Sequence, residues 1–321
     1  MRGVIVINLA EKKLAFIFQG VGSDYKELLD RLGPKQLDLL NEYCHIVRNE
    51  IGMDLTNYLF HAKDTIYDNM FNDWIAIYTC DCIVYKAYTA LGIKPDIMLG
   101  YSMGLITALT CSNSISFQTG LHLLLTIYDY PEKHESNDEG MGVIIGKTYE
   151  EIMGIICDNS HNNQVFISSI NNETCIVISG KKHSISRILD IAASQGAIKA
   201  SFINSPYAFH SIYAARGINK FVDHVKISTV SKSEVPIISA LTQRIIQNEE
   251  DIKDELVKNM TSPMNWKDSI LKLCDLADSI IEVSLDDSLT KMSRIINLDY
   301  EFLNFKKISK LSKLANGEMV L

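Results

Sequence analysis

One serine of the chain lies in a pattern that is typical of a nucleophile. The run Gly100-Tyr-Ser-Met-Gly104 follows the apolar segment Ile97–Leu99 and precedes a segment with helical spacing. Between a strand and a helix, Gly-x-Ser-x-Gly forms a sharp turn that exposes the serine and leaves room only for glycine beside it. The N–H groups at the start of that helix can stabilise an oxyanion. Ser102 is therefore predicted to attack a carbonyl carbon, and the other interpretation is a tight turn in which Ser102 only caps the helix.

A serine nucleophile needs a base that accepts its proton, and the chain has 8 histidines. His210 differs from most of them because it follows a predicted strand, in the loop Asn204-Ser-Pro-Tyr-Ala-Phe-His-Ser211. Loops at strand ends are where α/β folds place catalytic groups. On the residue pattern alone, His210 is one candidate among several. Six others are interpreted as surface or helix-packing residues: His45, His61, His122, His134, His161 and His183.

The composition excludes several classes of protein. The formal charge is -8 and 47% of the residues are hydrophobic, so a nucleic-acid-binding, disordered or collagen-like chain is not expected. No apolar run reaches membrane-spanning length, and charges follow the first residues too soon for a signal peptide. The 7 cysteines are scattered, and Cys80-x-Cys82 is too close for a zinc site. We expect reduced thiols, a cytoplasmic location and no metal.

The elements that must position these residues alternate between strands and helices. Apolar runs predict strands at 14–18, 97–99, 236–240 and 280–283, and helical spacing marks 25–60, 73–91, 103–113 and 116–130. This order predicts a hydrolase-like parallel sheet with helices on both faces. A polar run at 131–139 then leads into a β-α-β-β-α-β segment with a turn at Asn171-Asn172, which is the order of a ferredoxin-like unit. We therefore predict a large α/β domain over 1–130 and 206–321 with an inserted ferredoxin-like subdomain over 131–205.

The chain resembles the malonyl-CoA:acyl-carrier-protein transacylases and the acyltransferase domains of polyketide and fatty-acid synthases, over roughly 14–300. The residues that carry the resemblance are Phe18-Gln-Gly-Val-Gly-Ser23, Gly100-Tyr-Ser-Met-Gly104, Tyr207-Ala-Phe-His-Ser211 and Thr261-Ser-Pro-Met-Asn-Trp266. The resemblance implies that His210 is the base paired with Ser102. It also implies that the N–H groups of Val21 and Met103 bind the oxyanion.

Further site residues follow from the same resemblance. It indicates four side chains as substrate-binding candidates: Gln19, Tyr101, Asn171 and Phe209. In the family, a backbone carbonyl commonly orients the catalytic imidazole, and the corresponding loop here is Ser284-Leu-Asp-Asp-Ser288. Asp286 or Asp287 could orient His210, although a polar turn is the simpler interpretation. No cofactor is expected to be tightly bound, because the phosphopantetheine of an acyl carrier protein or of CoA serves as the substrate arm.

Two departures from the family concern the acyl group. Malonyl-transferring members bind the free carboxylate with an arginine twenty-five residues after the nucleophile, and that position is Ile127 here. A buried carboxylate facing Ile127 would lack a partner, at a cost of roughly several kcal/mol. The family's glutamine on the preceding helix becomes Asp73, which would repel malonate if it lies in the pocket. His122 could replace the arginine only from more than one helical turn away.

These features predict a trans-acting acyl hydrolase that removes stalled or unwanted acyl groups from carrier proteins in polyketide biosynthesis. The alternative is an S-acyltransferase that loads a non-carboxylated acyl unit, and a second alternative is an inactive docking subunit. We expect a monomer whose partners are acyl carrier protein and possibly acyl-CoA, without nucleic acid or membrane.

Overall fold

The computed structural model describes residue 9 and residues 11–22, 25–61, 66–129, 138–159, 164–205 and 207–316. The strands of these residues, in chain order, are β1 (Leu14–Phe18), β2 (Ile97–Gly100), β3 (Glu139–Ile145), β4 (Val165–Asn172), β5 (Cys175–Lys181), β6 (Lys199–Ile203), β7 (Ile237–Ile238), β8 (Ile245–Ile246), β9 (Met264–Asn265), β10 (Ser279–Glu282) and β11 (Phe302–Leu303).

The α-helices of the same residues are α1 (Pro34–Ile51), α2 (Leu55–His61), α3 (Asn69–Ala90), α4 (Gly104–Cys111), α5 (Phe117–Tyr128), α6 (Tyr149–Asn159), α7 (Lys182–Ser194), α8 (Asn219–Ile227), α9 (Glu249–Thr261), α10 (Trp266–Leu276), α11 (Ser288–Arg294) and α12 (Phe305–Asn316). Two short 3₁₀ helices cover Lys26–Arg31 and Ile212–Ala215.

The first sheet carries the predicted nucleophile. Its strand order is β11-β10-β1-β2-β7-β8, and every neighbouring pair is parallel except β7 with β8. The central strands β1 and β2 are buried at every residue, which is why they are apolar runs rather than alternating patterns. Two separate apolar clusters pack on this sheet, one containing Phe16 and Phe18 and the other containing Ala15 and Ile17. Alternate residues of β1 thus face opposite sides of the sheet.

The second sheet has the ferredoxin-like topology. Its order is β6-β3-β5-β4-β9, and the first four strands pair antiparallel around the connections α6 and α7. The added strand β9 pairs parallel with β4 and comes from residues well beyond the predicted insertion. The boundaries at 131 and 205 stay a prediction, and residues 131–137 of the predicted polar linker 131–139 lie outside the described residues.

Two local predictions differ from the structure, and three short strands were not predicted. The helical stretch at 25–60 is divided into a 3₁₀ helix, α1 and α2, because Gly52 adopts a left-handed φ of 71° that ends α1. Asn171 and Asn172 belong to β4, and the hairpin turn falls on Glu173 and Thr174 instead. The short strands β8, β9 and β11 have no clear signal in the sequence, since two residues are too few for periodicity.

A search of the described residues finds neither a helix that is long and apolar enough to cross a membrane nor a group of three or more metal-ligating side chains.

Candidate active site

The predicted nucleophile lies on a strained turn between β2 and α4. Ser102 has a φ of 55°, which is the left-handed region that non-glycine residues rarely adopt. A Cβ on Gly100 would lie 2.2 Å from the backbone nitrogen of Leu105, and one on Gly104 would lie 2.2 Å from the carbonyl oxygen of Phe18. Both positions therefore require glycine, because the turn is pressed against the helix on one side and against β1 on the other.

The structure brings Ser102 and His210 together. Ser102 Oγ lies 2.8 Å from His210 Nε2, a normal hydrogen-bond distance. The residue that caps α4 is Met103, and its side chain makes no capping hydrogen bond. The hydroxyl of Ser102 thus faces an imidazole that lies 108 positions further along the chain, an arrangement that a capping serine does not need.

The C-terminal end of α9 and the residue after it contact His210 on the side away from Ser102. Its backbone N–H donates to the carbonyl of Met260 at 2.8 Å, and its φ is 57°. The carbonyls of Asn259 and Ser262 lie near enough to the ring to favour its charged form, although neither makes a hydrogen bond of normal geometry to Nδ1. Burial outweighs both carbonyls and lowers the pKa of His210 to about 4. The ring is therefore neutral, as a base must be, over the physiological range.

The loop 284–288 was a candidate for orienting this ring, with a polar turn as the simpler interpretation. Asp287 forms an ion pair with Lys291, and neither Asp286 nor Asp287 is among the groups that shift the pKa of His210. The supporting role of a carbonyl falls to Asn259 and Ser262 rather than to residues 284–288.

We expect the rate of acylation to be insensitive to pH until unusually acidic conditions. Neutral His210 is the active form, so kcat/KM should stay level from pH 8 to about 5 and fall with a midpoint near the pKa of about 4. A histidine in the unfolded chain has a normal pKa of about 6.5, so the unfolded chain binds more protons than the folded chain between about pH 6.5 and 4. Protonation of this histidine therefore lowers the stability of the fold as the pH falls through that range. An acid limb near pH 6.5, measured while circular dichroism reports an intact fold, would contradict the prediction.

The predicted oxyanion donors lie on either side of the serine. The N–H groups of Val21 and Met103 have no hydrogen-bond acceptor in the part of the chain that the structure describes. The Gly-rich turn is packed closely on the elbow, since a Cβ on Gly20 would lie 2.9 Å from the carbonyl oxygen of Tyr101. Val21 is 49% exposed and lines the cleft beside Ser102. Two free donors beside a nucleophile can stabilise the negative charge of a tetrahedral intermediate.

A cleft with about 510 Å³ of empty space opens beside Ser102 and His210. Ile127 from α5 and Phe209 from the loop before His210 both line it, as predicted for substrate-binding residues. None of the described residues that line the cleft is a lysine or an arginine. The other lining residues are almost all apolar: Val21, Trp74, Met103, Ile106, Leu124, Phe221, Leu256, Asn259 and Met260.

The structure does not place four other predicted residues in this cleft. Gln19 is 4% exposed and its side chain contacts Tyr25 beneath the site. Asp73 accepts a hydrogen bond from Tyr58, so its carboxylate is engaged outside the lining of the cleft. The residue after it, Trp74, does line the cleft. Tyr101 donates to Asn171 at 3.0 Å, and this pair joins the nucleophile turn to the second sheet.

His122 does not replace the missing arginine, because its ring faces Glu50 at 3.0 Å on the outer side of α5. The sequence reasoning also missed Asn259, whose side-chain amide donates to the carbonyl of Ser102 at 3.0 Å and lines the cleft. The only available signal was its position two residues before Thr261, where the motif Thr261-Ser-Pro-Met-Asn-Trp266 begins.

The relatives found by comparison with known proteins are named for acyl transfer, a reaction that a serine nucleophile can carry out. A family model described as "Acyl transferase domain" matches residues 15–294. The malonyl CoA-acyl carrier protein transacylase of Bacillus subtilis (strain 168) is 24% identical over 292 residues, which cover 89% of this chain and 90% of that protein. The polyketide biosynthesis malonyl CoA-acyl carrier protein transacylase PksC of the same organism is 26% identical over 264 residues, with 78% and 83% coverage.

Solved structures show the same fold. The malonyl CoA-acyl carrier protein transacylase (fabD) from Coxiella burnetii superposes with a TM-score of 0.86 at 24% identity, covering 95% of this chain and 98% of that one. A malonyl-transacylase solved in complex with its type II acyl-carrier protein has a TM-score of 0.84 at 18% identity, covering 95% and 100%. The predicted fold class, a hydrolase-like α/β fold with a ferredoxin-like unit, is confirmed.

Proposed function

This chain belongs to the acyl transferase family, and from that premise we propose that it is a serine enzyme acting on acyl-carrier-protein thioesters in polyketide biosynthesis. Within this class we propose a trans-acting acyl hydrolase that removes uncharged acyl groups from carrier proteins. The relatives named as carrier-protein transacylases support the carrier protein as the partner. The observation that carries the choice of acyl group is the cleft beside the Ser102–His210 pair, which is apolar and has isoleucine at position 127.

The proposed reaction has two halves that use the same residues. Ser102 Oγ attacks the thioester carbonyl carbon while His210 Nε2 takes its proton, and the oxyanion is stabilised by the N–H groups of Val21 and Met103. The carbon–sulfur bond breaks, and the phosphopantetheine thiol leaves with the proton from His210. Water then gives a proton to His210 and attacks the acyl-serine ester, which releases the free acid and restores Ser102. No cofactor takes part in either half.

The cleft favours an uncharged acyl group because a carboxylate would find no compensation in it. Ile127 is 8% exposed, and the cleft-lining residues that the structure describes include no cationic side chain. An unpaired carboxylate at such a site would cost roughly several kcal/mol. Acetyl, propionyl and longer uncharged groups bring no such cost, and their apolar parts gain from contact with the aromatic and aliphatic lining.

The cleft lacks the charged contact that selects malonate, which argues against a malonyl-loading enzyme and supports a hydrolase of uncharged acyl groups. The alternative, an S-acyltransferase for a non-carboxylated acyl unit, uses the same residues and differs only in whether a thiol replaces water. An inactive docking subunit is the third possibility.

One assay separates these possibilities. The protein is incubated with acetyl- and malonyl-carrier protein and with a second, unloaded carrier protein, and acyl-enzyme mass, free acid and loaded second carrier are followed. Free acid from the acetyl substrate supports the hydrolase, and acetyl on the second carrier supports the transferase instead. Absence of acyl-enzyme, free acid and loaded second carrier together would contradict both and leave the docking subunit.

We expect Ile127→Arg to shift the preference from acetyl toward malonyl thioesters. A guanidinium in the cleft can pair with the malonyl carboxylate, and a charge-assisted hydrogen bond of this kind contributes about 1.5–3 kcal/mol, or about 10- to 100-fold in the ratio of kcat/KM values. The measurement is that ratio for acetyl- and malonyl-carrier protein in wild type and variant.

Ile127→Met is the matched control, because it changes the shape of the side chain at the same position without adding charge. Its ratio should stay near that of the wild type. A wild-type enzyme that already turns over malonyl thioester faster than acetyl thioester would contradict the assignment of the cleft to uncharged acyl groups.

A further inference from the structure

The glycine-rich turn that carries Val21 is flanked by two side chains that meet beneath it. Gln19 precedes the turn and Tyr25 follows it, and the amide of Gln19 donates to the hydroxyl of Tyr25. Gln19 is 4% exposed and Tyr25 is 1% exposed, so the contact is shielded from water. A hydrogen bond between the two ends of a turn restricts its conformations, and a buried one is stronger than one in water.

The hydroxyl of Tyr25 is itself anchored from two other parts of the fold. It donates to Asp81 Oδ1 of helix α3 at 2.6 Å, and it lies 2.7 Å from Ser284 Oγ in the loop after β10. Asp81 and Ser284 are both fully buried. Since a tyrosine has a single hydroxyl proton, donation to Asp81 leaves Ser284 as the donor to Tyr25. We call Gln19, Tyr25, Asp81 and Ser284 the buried clasp.

Burial favours the uncharged form of Asp81 in the clasp. Burial is the main reason that its pKa is raised well above its ordinary value. Its second oxygen, Oδ2, has no hydrogen-bond partner among the described residues. A charged carboxylate would require such a partner when it is buried. Asp81 therefore supplies an acceptor rather than a charge, and an asparagine can supply the same acceptor.

The clasp lies directly behind the predicted oxyanion site. The turn packs against the nucleophile elbow, where the N–H of Tyr101 donates to the carbonyl of Phe18 at 2.9 Å and where Gly20 approaches the carbonyl of Tyr101. Movement of the turn would change the position of the Val21 N–H relative to Ser102. No member of the clasp lines the cleft, so none can touch the acyl group there.

From these contacts we infer that the buried clasp is a positioning device that holds the Val21 N–H in place for the oxyanion. The inference rests on the proposed function, because it assumes that Ser102 forms a tetrahedral intermediate. Its members act through the backbone of the turn, so their loss should reduce the stabilisation of the transition state and leave binding of the substrate unchanged.

The test compares Tyr25→Phe, Asp81→Leu and Asp81→Asn in the full chain with acetyl-carrier protein as substrate. Tyr25→Phe and Asp81→Leu should lower kcat by about 10- to 100-fold with KM unchanged, since displacement of a catalytic group by an ångström costs up to about 100-fold. Asp81→Asn keeps the acceptor and should retain most of the activity. A trifluoromethyl ketone analogue of acetyl-pantetheine, which forms an oxyanion on the serine, should lose affinity in proportion to kcat.

The matched control is Tyr78→Phe, which removes a buried hydroxyl from the same helix as Asp81. Tyr78 bonds to Thr110 and to the carbonyl of Phe117, away from the turn, so this variant should lose stability without losing kcat. If Tyr25→Phe does not fold, Ser284→Ala removes a smaller part of the same network and should show the same split between kcat and KM.

Unchanged kcat in Tyr25→Phe and Asp81→Leu would overturn the clasp alone. Equal losses in Asp81→Asn and Asp81→Leu, or a loss of kcat without weaker binding of the ketone analogue, would also overturn it. Turnover that persists in Ser102→Ala would overturn the proposed function and the clasp together.

Discussion

Ser102→Ala should abolish formation of an acyl-enzyme and reduce turnover of acyl thioesters by about 10⁴-fold or more, as loss of a serine nucleophile does in enzymes whose catalytic residues act as a unit. The structural reason is the position of this hydroxyl at the tip of the β2–α4 turn, where Ser102 Oγ lies 2.8 Å from His210 Nε2. The measurement is intact-protein mass after incubation with acetyl-carrier protein, together with labelling by a serine-directed phosphonate.

The fold should survive this substitution. Serine and alanine are similarly disfavoured at the φ of 55°, so the substitution adds little strain to that already present, and the glycines that permit the turn remain. Ser112→Ala is the matched control, because Ser112 is a buried serine at the other end of α4 whose hydroxyl donates to the carbonyl of Leu109. It should label and turn over like wild type. Acyl-enzyme or phosphonate adduct on the Ser102→Ala protein would remove Ser102 from the mechanism.

Replacement of His210 should slow acylation of Ser102 by about 10²–10⁴-fold, the usual contribution of a general base. Two substitutions are needed, because His210 has a φ of 57°. Alanine is strained at such a φ and could disturb the loop, whereas asparagine is among the residues that tolerate it best. His210→Asn therefore tests the missing base with the backbone preserved, and single-turnover acylation by acetyl-carrier protein is the measurement.

His224→Ala is the control for loss of a histidine outside the pair. His224 is a half-buried residue of α8 whose ring faces Thr126 at 3.2 Å, and burial also lowers its pKa. Its removal should leave acylation unchanged. An unimpaired His210→Asn protein would mean that another group accepts the proton of Ser102.

Much of the first sheet and of the serine turn could be predicted from local pattern. The strands at 14–18 and 97–100 are apolar along their whole length, and the helices that follow them repeat at helical spacing. Gly100 and Gly104 could be identified because only a residue without a Cβ fits there, a constraint that acts over a few positions of the chain. Such short-range requirements can be recognised from the order of the residues alone.

The pairing of Ser102 with His210 was less accessible, since no local pattern connects two residues 108 positions apart. The carbonyls behind the imidazole were assigned to the wrong loop for the same reason: residues 259–262 reach His210 only because α9 ends beside it and β9 then joins the second sheet. Helix ends and sheet edges meet through packing of the whole fold, and their meeting leaves no periodicity in the sequence.

Gln19 shows most clearly what only the tertiary structure decided. As part of a glycine-rich motif, Gln19 was expected to contact the substrate. Its side chain instead lies beneath the Gly-rich turn and donates a hydrogen bond to Tyr25. Its residue type and its place beside Gly20 were determined by the sequence alone. Its direction depends on Tyr25, whose hydroxyl is held by Asp81 and Ser284, and on Ser288, whose hydroxyl donates to Gln19 Oε1. The fold brings these partners together, and a polar side chain that leaves water requires them.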